Sequence, residues 1–338
     1  MRTYELRGKG MDGLNLVERP VPKPGPGQAL VRVHAVSLNY RDLLVANGTY
    51  PRGPATEERL VPCSDAAGEV VELGSGASRL KKGDRVMASF FQGWLDGPFV
   101  FDVAASSALG GSIDGVLAEY VALDTAGLVK APHNLGYEAA STLPCAGVTA
   151  WVALHELASI GPGQTLLALG TGGVSLFALQ LAQRAGAGVL LTSSNDEKLA
   201  RGKRLGADAT INYRSTPEWD VMARELTRGR GVDQIIEVGG AGTLERSLRA
   251  LRDGGRITLA GQLSGDMANR DVAEKNGRNI HVDQVFVGSA QHLERLARSI
   301  EQSPIAPVVD HVFEFDAARE AFQFLESGAH FGKVVIRV

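Results

Sequence analysis

The chain has 338 residues, 44% of them hydrophobic and 22% charged, enough apolar material for two domains of ordinary size rather than one small module. The balance of 35 basic and 38 acidic residues gives a formal net charge of -3, so nothing in the bulk electrostatics favours a polyanionic partner, and nucleic-acid binding is not expected. Two cysteines, Cys63 and Cys145, are too few for a disulfide framework or a four-thiolate zinc knuckle. No apolar run approaches the ~18 residues of a membrane span, and a reducing, cytoplasmic setting without a membrane partner is expected.

The first third reads as β-rich. Ala29 to Val36 alternates apolar residues with Arg32 and His34, and Gly68 to Leu73 and Arg85 to Ser89 are further short strand-like runs. Gly- and Pro-containing turns separate them, such as Pro22 to Gly27, Gly74-Ser75-Gly76 and Lys82-Gly83-Asp84. A compact antiparallel unit is the simplest arrangement.

After Gly161-Pro162-Gly163 the rhythm changes to strand, helix, strand, helix: Thr165 to Leu169, Val174 to Ala185, Val189 to Thr192, Asp196 to Leu205. It continues through Gln234 to Val238, Leu244 to Leu251 and Arg256 to Ala260. Nearly all-apolar strands separated by amphipathic stretches predict a parallel sheet covered on both faces, a doubly wound α/β domain. Beyond it, Leu293 to Glu301 and Ala317 to Glu326 look helical and Lys333 to Val338 looks like a strand. That ending predicts a return to the first domain, with parts at 1–148, 149–287 and 288–338.

Gly170-Thr171-Gly172-Gly173-Val174-Ser175 follows an apolar strand and opens a helix, the context that makes a glycine pattern a dinucleotide signal. Gly170 permits the tight turn, Gly172 lets the backbone approach a pyrophosphate, and Ser175 is small enough for close helix-to-strand packing. The helix N-terminus supplies N–H groups and partial positive charge to the phosphates. Roughly two dozen residues beyond Gly170, where an NAD site carries an acid for the ribose, stand Thr192-Ser193-Ser194-Asn195. Two hydroxyls followed by Lys198 suit a 2'-phosphate, so NADPH is favoured over NADH, although Asp196 or Glu197 could reach back to a ribose. Tyr213 and Arg214 could wall the adenine or form a plain surface loop. Gly239 and Gly261, just past the next two strands, complete the cofactor-facing candidates.

These residues, together with Val36 to Asp42, Gly83-Asp84-Arg85-Val86, Gly115 to Val121, Leu143 to Ala150 and Ser327 to Lys333, resemble the medium-chain dehydrogenase/reductase superfamily, specifically its zinc-free quinone-oxidoreductase-like branch. The resemblance spans nearly the whole chain. It implies a Rossmann domain inserted in a GroES-like catalytic domain, an active site in the cleft between them, and a homodimer. It places Thr149 and Lys333 on the cofactor, and Asn39, Tyr40 and Tyr50 near the nicotinamide and substrate. The family's catalytic zinc ligands, a Cys, a His and a Cys, fall on Asn39, Ser64 and Cys145. The stretch from Phe90 to Ser112 also lacks the four cysteines of the structural-zinc lobe. Asn and Ser bind zinc poorly at neutral pH, so a metal-free protein is expected, with an irregular Cys63, Asp65 and Cys145 site as the alternative.

Without a Lewis acid, the accessible chemistry is hydride transfer from the cofactor to a quinone, an enone or a small carbonyl, with Asn39 or a cofactor hydroxyl donating to the substrate oxygen. Asn39 is equally suited to cap the helix that follows it. Phe90-Phe91-Gln92-Gly93-Trp94-Leu95 could line a pocket for a flat apolar ligand or pack as core. The polar run 266–279 stands where the branch has an apolar loop. A metal-free alcohol dehydrogenase and a cofactor-binding scaffold without turnover are the rival functions.

Overall fold

The computed structural model describes residues 1–50, 59–261 and 278–338. The chain divides into two compact units, one formed by Met1–Val148 with Val287–Val338 and the other by Thr149–Phe286.

The first unit holds a seven-stranded sheet. Its main path runs Val309–Glu314, Lys333–Arg337, Gln28–Ser37, Asp65–Leu73, Arg85–Ala88 and Leu128–Lys130, and Tyr120–Asp124 pairs with Gln28–Ser37 off that path. The long strand Gln28–Ser37 is central, with seven of its ten residues buried, including Val31, Val33 and Val36. A strand of that kind needs cover on both faces. The core that covers it gathers Leu14, Leu38, Leu109, Leu117 and Phe322. The C-terminal strand returns antiparallel to it, with Val335 opposite Ser37 and Ile336 opposite Val36, while Asp65 pairs with the same Ser37 from the other side. The long strand, the strand that follows it in the chain and the C-terminal strand therefore meet at residues 37–39.

The second unit is a six-stranded parallel sheet in the spatial order Ala209–Asn212, Gly188–Ser193, Thr165–Ala168, Val232–Glu237, Leu251–Leu259, His281–Gln284. The chain starts in the middle, builds outward to one edge, then returns to build the other half. Strand order therefore reverses between Thr165–Ala168 and Val232–Glu237, the topological switch point beyond whose carboxyl ends ligands bind in such sheets. Buried Leu167, Leu190, Ile235 and Ile257 fill the core. The fold is thus a GroES-like unit and a Rossmann-type parallel sheet in one mixed α/β chain. Among the described residues, no helix is long and apolar enough to cross a membrane.

Candidate nucleotide cradle and buried polar cluster

At the switch point, the strand Thr165–Ala168 leads into the glycine turn and the helix Gly173–Arg184. Gly170 has φ +73°, a left-handed conformation that disfavours any residue with a Cβ. Gly172 has an ordinary φ of -81°, so its need for glycine is not conformational. A Cβ on either residue would meet no protein atom within 4 Å. The turn therefore leaves open space in front of its backbone at the amino end of a 12-residue helix, and a pyrophosphate fits that donor set. The Gly170 N–H donates to Thr192 Oγ1 at 3.1 Å, tying the turn to the neighbouring strand. Thr171 is buried, and the Gly173 and Val174 backbone opens the helix. Ser175 is also buried, and its hydroxyl donates to the Leu169 carbonyl at 2.6 Å. It locks the turn from beneath.

The end of the next strand separates the two serines expected to meet a ribose phosphate. Ser193 is buried and its Oγ accepts the Asn195 N–H at 3.3 Å, whereas Ser194 is partly exposed. Asn195 caps the helix Asp196–Arg204 by accepting the Lys198 N–H at 3.0 Å. This fixes the Lys198 backbone in the first turn of that helix. The Asp196 carboxylate accepts from Asn212 Nδ2 at 2.7 Å, so one of the two acids that could serve a ribose is engaged elsewhere. The Tyr213 N–H donates to the Ser193 carbonyl at 3.1 Å, leaving the ring exposed. Arg214 is exposed as well.

Sequence reasoning missed Glu237, at the end of Val232–Glu237. This fully buried carboxylate accepts from Gly239 N at 2.7 Å, Gly240 N at 3.2 Å, Thr243 Oγ1 at 2.6 Å and Ser247 Oγ at 2.5 Å. It fixes the loop that leaves the switch point. Gly239 and Gly261 have packing reasons of their own: a Cβ would lie 2.2 Å from Thr243 Oγ1 at the former and 2.9 Å from the Val238 carbonyl at the latter. Thr149, in the same unit, is buried in a helical segment.

The first unit carries the second cluster. Extending the register of Val335 with Ser37 places Lys333 opposite Asn39, and the Leu38 N–H to Val334 carbonyl bond of 2.9 Å continues that ladder. The Lys333 ammonium, buried, donates to the Leu38 carbonyl and to Asn39 Oδ1, the latter at 2.5 Å. This accounts for two of its three donors. Asp65, also buried, accepts from Ser64 Oγ at 2.7 Å and from the Cys145 N–H at 3.0 Å. Burial pushes its carboxyl above the usual range, while Lys333, Ser64 and the Asn39 amide partly restore the charged form. The positions of the family's three zinc ligands thus surround one carboxylate. Burial also raises both thiols, Cys63 and Cys145, which makes them poor thiolate donors. No cluster of three His, Cys, Asp or Glu suited to a metal occurs among the described residues.

Asn39 precedes the helix Tyr40–Ala46 with extended backbone, and its N–H donates to Asp42 Oδ2 at 2.8 Å. Asp42 is pushed up to about 6 by burial, against the pull of Arg41 at 3.7 Å. The Arg41 guanidinium lies 5.1 Å from the Tyr50 ring centroid and 4.8 Å from that of Phe90. Tyr50 is partly buried and Tyr40 exposed. Phe90, Phe91 and Trp94 are buried, and Phe91 and Trp94 pack edge to face or tilted with Phe99 and each other. That is the core-packing alternative for the aromatic run. The polar segment 266–279 lies outside the described residues except for its last two.

Residues 25–133 match the alcohol dehydrogenase GroES-like domain family and residues 205–336 the zinc-binding dehydrogenase family. The chain is 44% identical over 336 residues to a zinc-type alcohol dehydrogenase-like protein of Schizosaccharomyces pombe, covering 97% of this chain and 96% of that protein. Among solved structures, it is similar to an NAD-dependent alcohol dehydrogenase at 33% identity and TM-score 0.89, covering all of both chains. It is also similar to a quinone oxidoreductase from Coxiella burnetii at 27% identity and TM-score 0.83, covering all of this chain and 99% of that one. A mycobacterial protein solved with NADPH is 26% identical at TM-score 0.82, with both chains fully covered.

Proposed function

The chain belongs to the medium-chain dehydrogenase/reductase superfamily, and from that premise we propose that it is an NADPH-dependent, zinc-independent oxidoreductase that reduces a quinone, an enone or a small carbonyl. The observation that carries this reading is the Lys333 ammonium at Asn39. Of the family's three metal-ligand positions, one already accepts from a protein cation and another donates to a carboxylate. Asn39 Oδ1 faces Lys333 and Ser64 Oγ is spent on Asp65. A divalent ion there would meet a fixed positive charge, two neutral oxygens, a thiol that burial keeps protonated and one carboxylate already engaged by Ser64 and the Cys145 N–H, a donor set that does not fit zinc.

The nucleotide fits the other unit. The Gly170 to Gly173 backbone would hold the pyrophosphate, and Ser194 with Lys198 would take the 2'-phosphate. Bound nicotinamide supplies the hydride. The Asn39 amide would donate to the substrate oxygen as negative charge develops there. A fixed donor that meets charge only as it develops lowers the barrier more than it tightens substrate binding. A proton from solvent completes the two-electron reduction. Tyr40, which opens the helix Tyr40–Ala46, and Tyr50, which follows it, suit a flat substrate, and the expected assembly is a homodimer.

The names of the alcohol dehydrogenase relatives favour a second reading, a metal-free alcohol dehydrogenase working on the same residues. A panel of 1,4-benzoquinone, 2-cyclohexenone, aldehydes and primary alcohols, followed by cofactor absorbance with both nucleotides and by metal analysis, separates the readings. Reduction of quinone or enone with NADPH, unaffected by EDTA, is expected. Alcohol oxidation abolished by EDTA, with stoichiometric zinc, overturns the proposal. Tight NADPH binding with no turnover leaves a scaffold instead.

A further inference from the structure

The register that sets Lys333 against Asn39 does more than neutralise a buried site. An ammonium carries only donors, so the side-chain oxygen of Asn39 must face Lys333 Nζ, and the NH2 group must point the other way. That other side is the side of Asp65, whose charge favours the same orientation. Two opposite charges, reached from two different strands, therefore select one of the two flips of a single amide. Asn39 is 8% exposed, and its Nδ2, although drawn to the Asp65 carboxylate, makes no hydrogen bond of ordinary geometry among the described residues. An amide NH2 carries two N–H groups; with one inclined to Asp65, the other is buried without a partner, an unfavourable state that the oxygen of a bound substrate would relieve.

We propose that Lys333 is a positioning residue for the reaction, one that fixes the flip of the Asn39 amide so that its NH2 group is presented to the oxygen of the bound substrate. Lys333 then acts through Asn39 rather than on the cofactor. Asp65 holds the same amide from the other side and supplies the counter-charge that lets the ammonium stay buried. The inference rests on the assignment of Asn39 as the donor to substrate.

The test uses the full-length holoenzyme, with 1,4-benzoquinone and 2-cyclohexenone as probes. Asn39→Ala removes the donor, Lys333→Met removes the ammonium at similar length, and Lys333→Arg restores a cationic donor. Loss of one oriented donor costs about 10²-fold in kcat. Asn39→Ala and Lys333→Met are each expected to lose roughly that much with the KM for NADPH unchanged, and Lys333→Arg to recover much of it. The double variant Asn39→Ala/Lys333→Met is expected to be no slower than Asn39→Ala. A multiplicative loss, or a raised KM for NADPH as the main effect of Lys333→Met, would overturn the proposal. Full activity of Asn39→Ala would instead remove the donor assignment beneath it. A measurement independent of turnover decides the positioning role in either case. In the NADP-bound protein, the side-chain amide resonances of Asn39 should shift, and exchange faster with deuterated solvent, in Lys333→Met than in wild type. Unmoved resonances in a folded Lys333→Met variant would show that the ammonium does not hold the amide.

Discussion

Gly170 and Gly172 stand two residues apart in one turn, yet their geometry predicts different outcomes for the same substitution. Gly172 has φ -81° and ψ -179°, a conformation open to alanine, and a Cβ there would touch nothing in the protein. Gly172→Ala should stabilise the apo fold by ~0.4–1 kcal/mol, because the unfolded chain loses freedom. Residue 172 is also the N-cap of Gly173–Arg184, where alanine is worse than glycine by roughly 0.5–1 kcal/mol. The two nearly cancel, and the apo melting temperature should move by no more than about 2 °C. The new methyl would occupy the space through which the backbone reaches a phosphate. Losing one charge-assisted hydrogen bond of ~1.5–3 kcal/mol weakens NADPH binding by about 10- to 150-fold. Gly170→Ala differs because φ +73° strains an L-residue by roughly 1–2 kcal/mol, which lowers the apo melting temperature by a few degrees. Calorimetric titration with NADPH and thermal melts of both apo variants make the comparison. If Gly172→Ala keeps NADPH affinity within about twofold, the open space at this turn is not where the phosphates lie, and the cradle argument fails.

Ser194→Asp places a carboxylate at the more accessible of the two serines, so it should weaken NADPH at least ~10-fold by repulsion of the 2'-phosphate while sparing NADH. An unchanged ratio of the two affinities would locate the phosphate elsewhere. Glu237→Gln turns an amide NH2 towards donors that now converge on a carboxylate. A buried mismatch of that kind costs ~1–3 kcal/mol, and the expected result is a lower urea midpoint together with weaker nucleotide binding. An undisturbed midpoint would mean that this loop is held by other contacts. Asp42 titrates near 6 in the fold against an ordinary 3.8, chiefly through burial, with Arg41, Asp65, Lys333 and the Asn39 N–H as the groups around it. The folded state binds the extra proton between these values, so Asp42 makes the protein progressively less stable as pH rises from about 4 to about 6. Asp42→Asn should flatten that part of a urea stability profile. A profile with the same slope as wild type would assign the titration to another group.

How much of this was readable in advance depended on the distance along the chain over which each feature is built. The glycine turn and its sheet are local: apolar strands of about five residues alternating with helices name a parallel sheet, and one strand-turn-helix junction names the cradle. Glu237 was hidden although its four donors lie within ten residues of it, because an acid at the end of an apolar strand reads as the place where the strand reaches solvent. The sequence signal was there in the small residues that follow, Gly239, Gly240, Thr243 and Ser247, all able to donate to a buried carboxylate. Asn39 and Lys333 present the harder case. Each was singled out, but for separate reasons, and nothing local joins residues 294 apart. Only the pairing of Val335 with Ser37 does so, and that pairing is itself constrained by the charges. A slip of one residue would turn the side chains of the C-terminal strand to the opposite face, taking the Lys333 ammonium from Asn39 and leaving Asp65 buried without a nearby cation. Burying an uncompensated charge is far more costly than shifting a strand in an apolar ladder. The polar cluster and the strand register therefore specify each other, which is why neither could be derived from the sequence without the other.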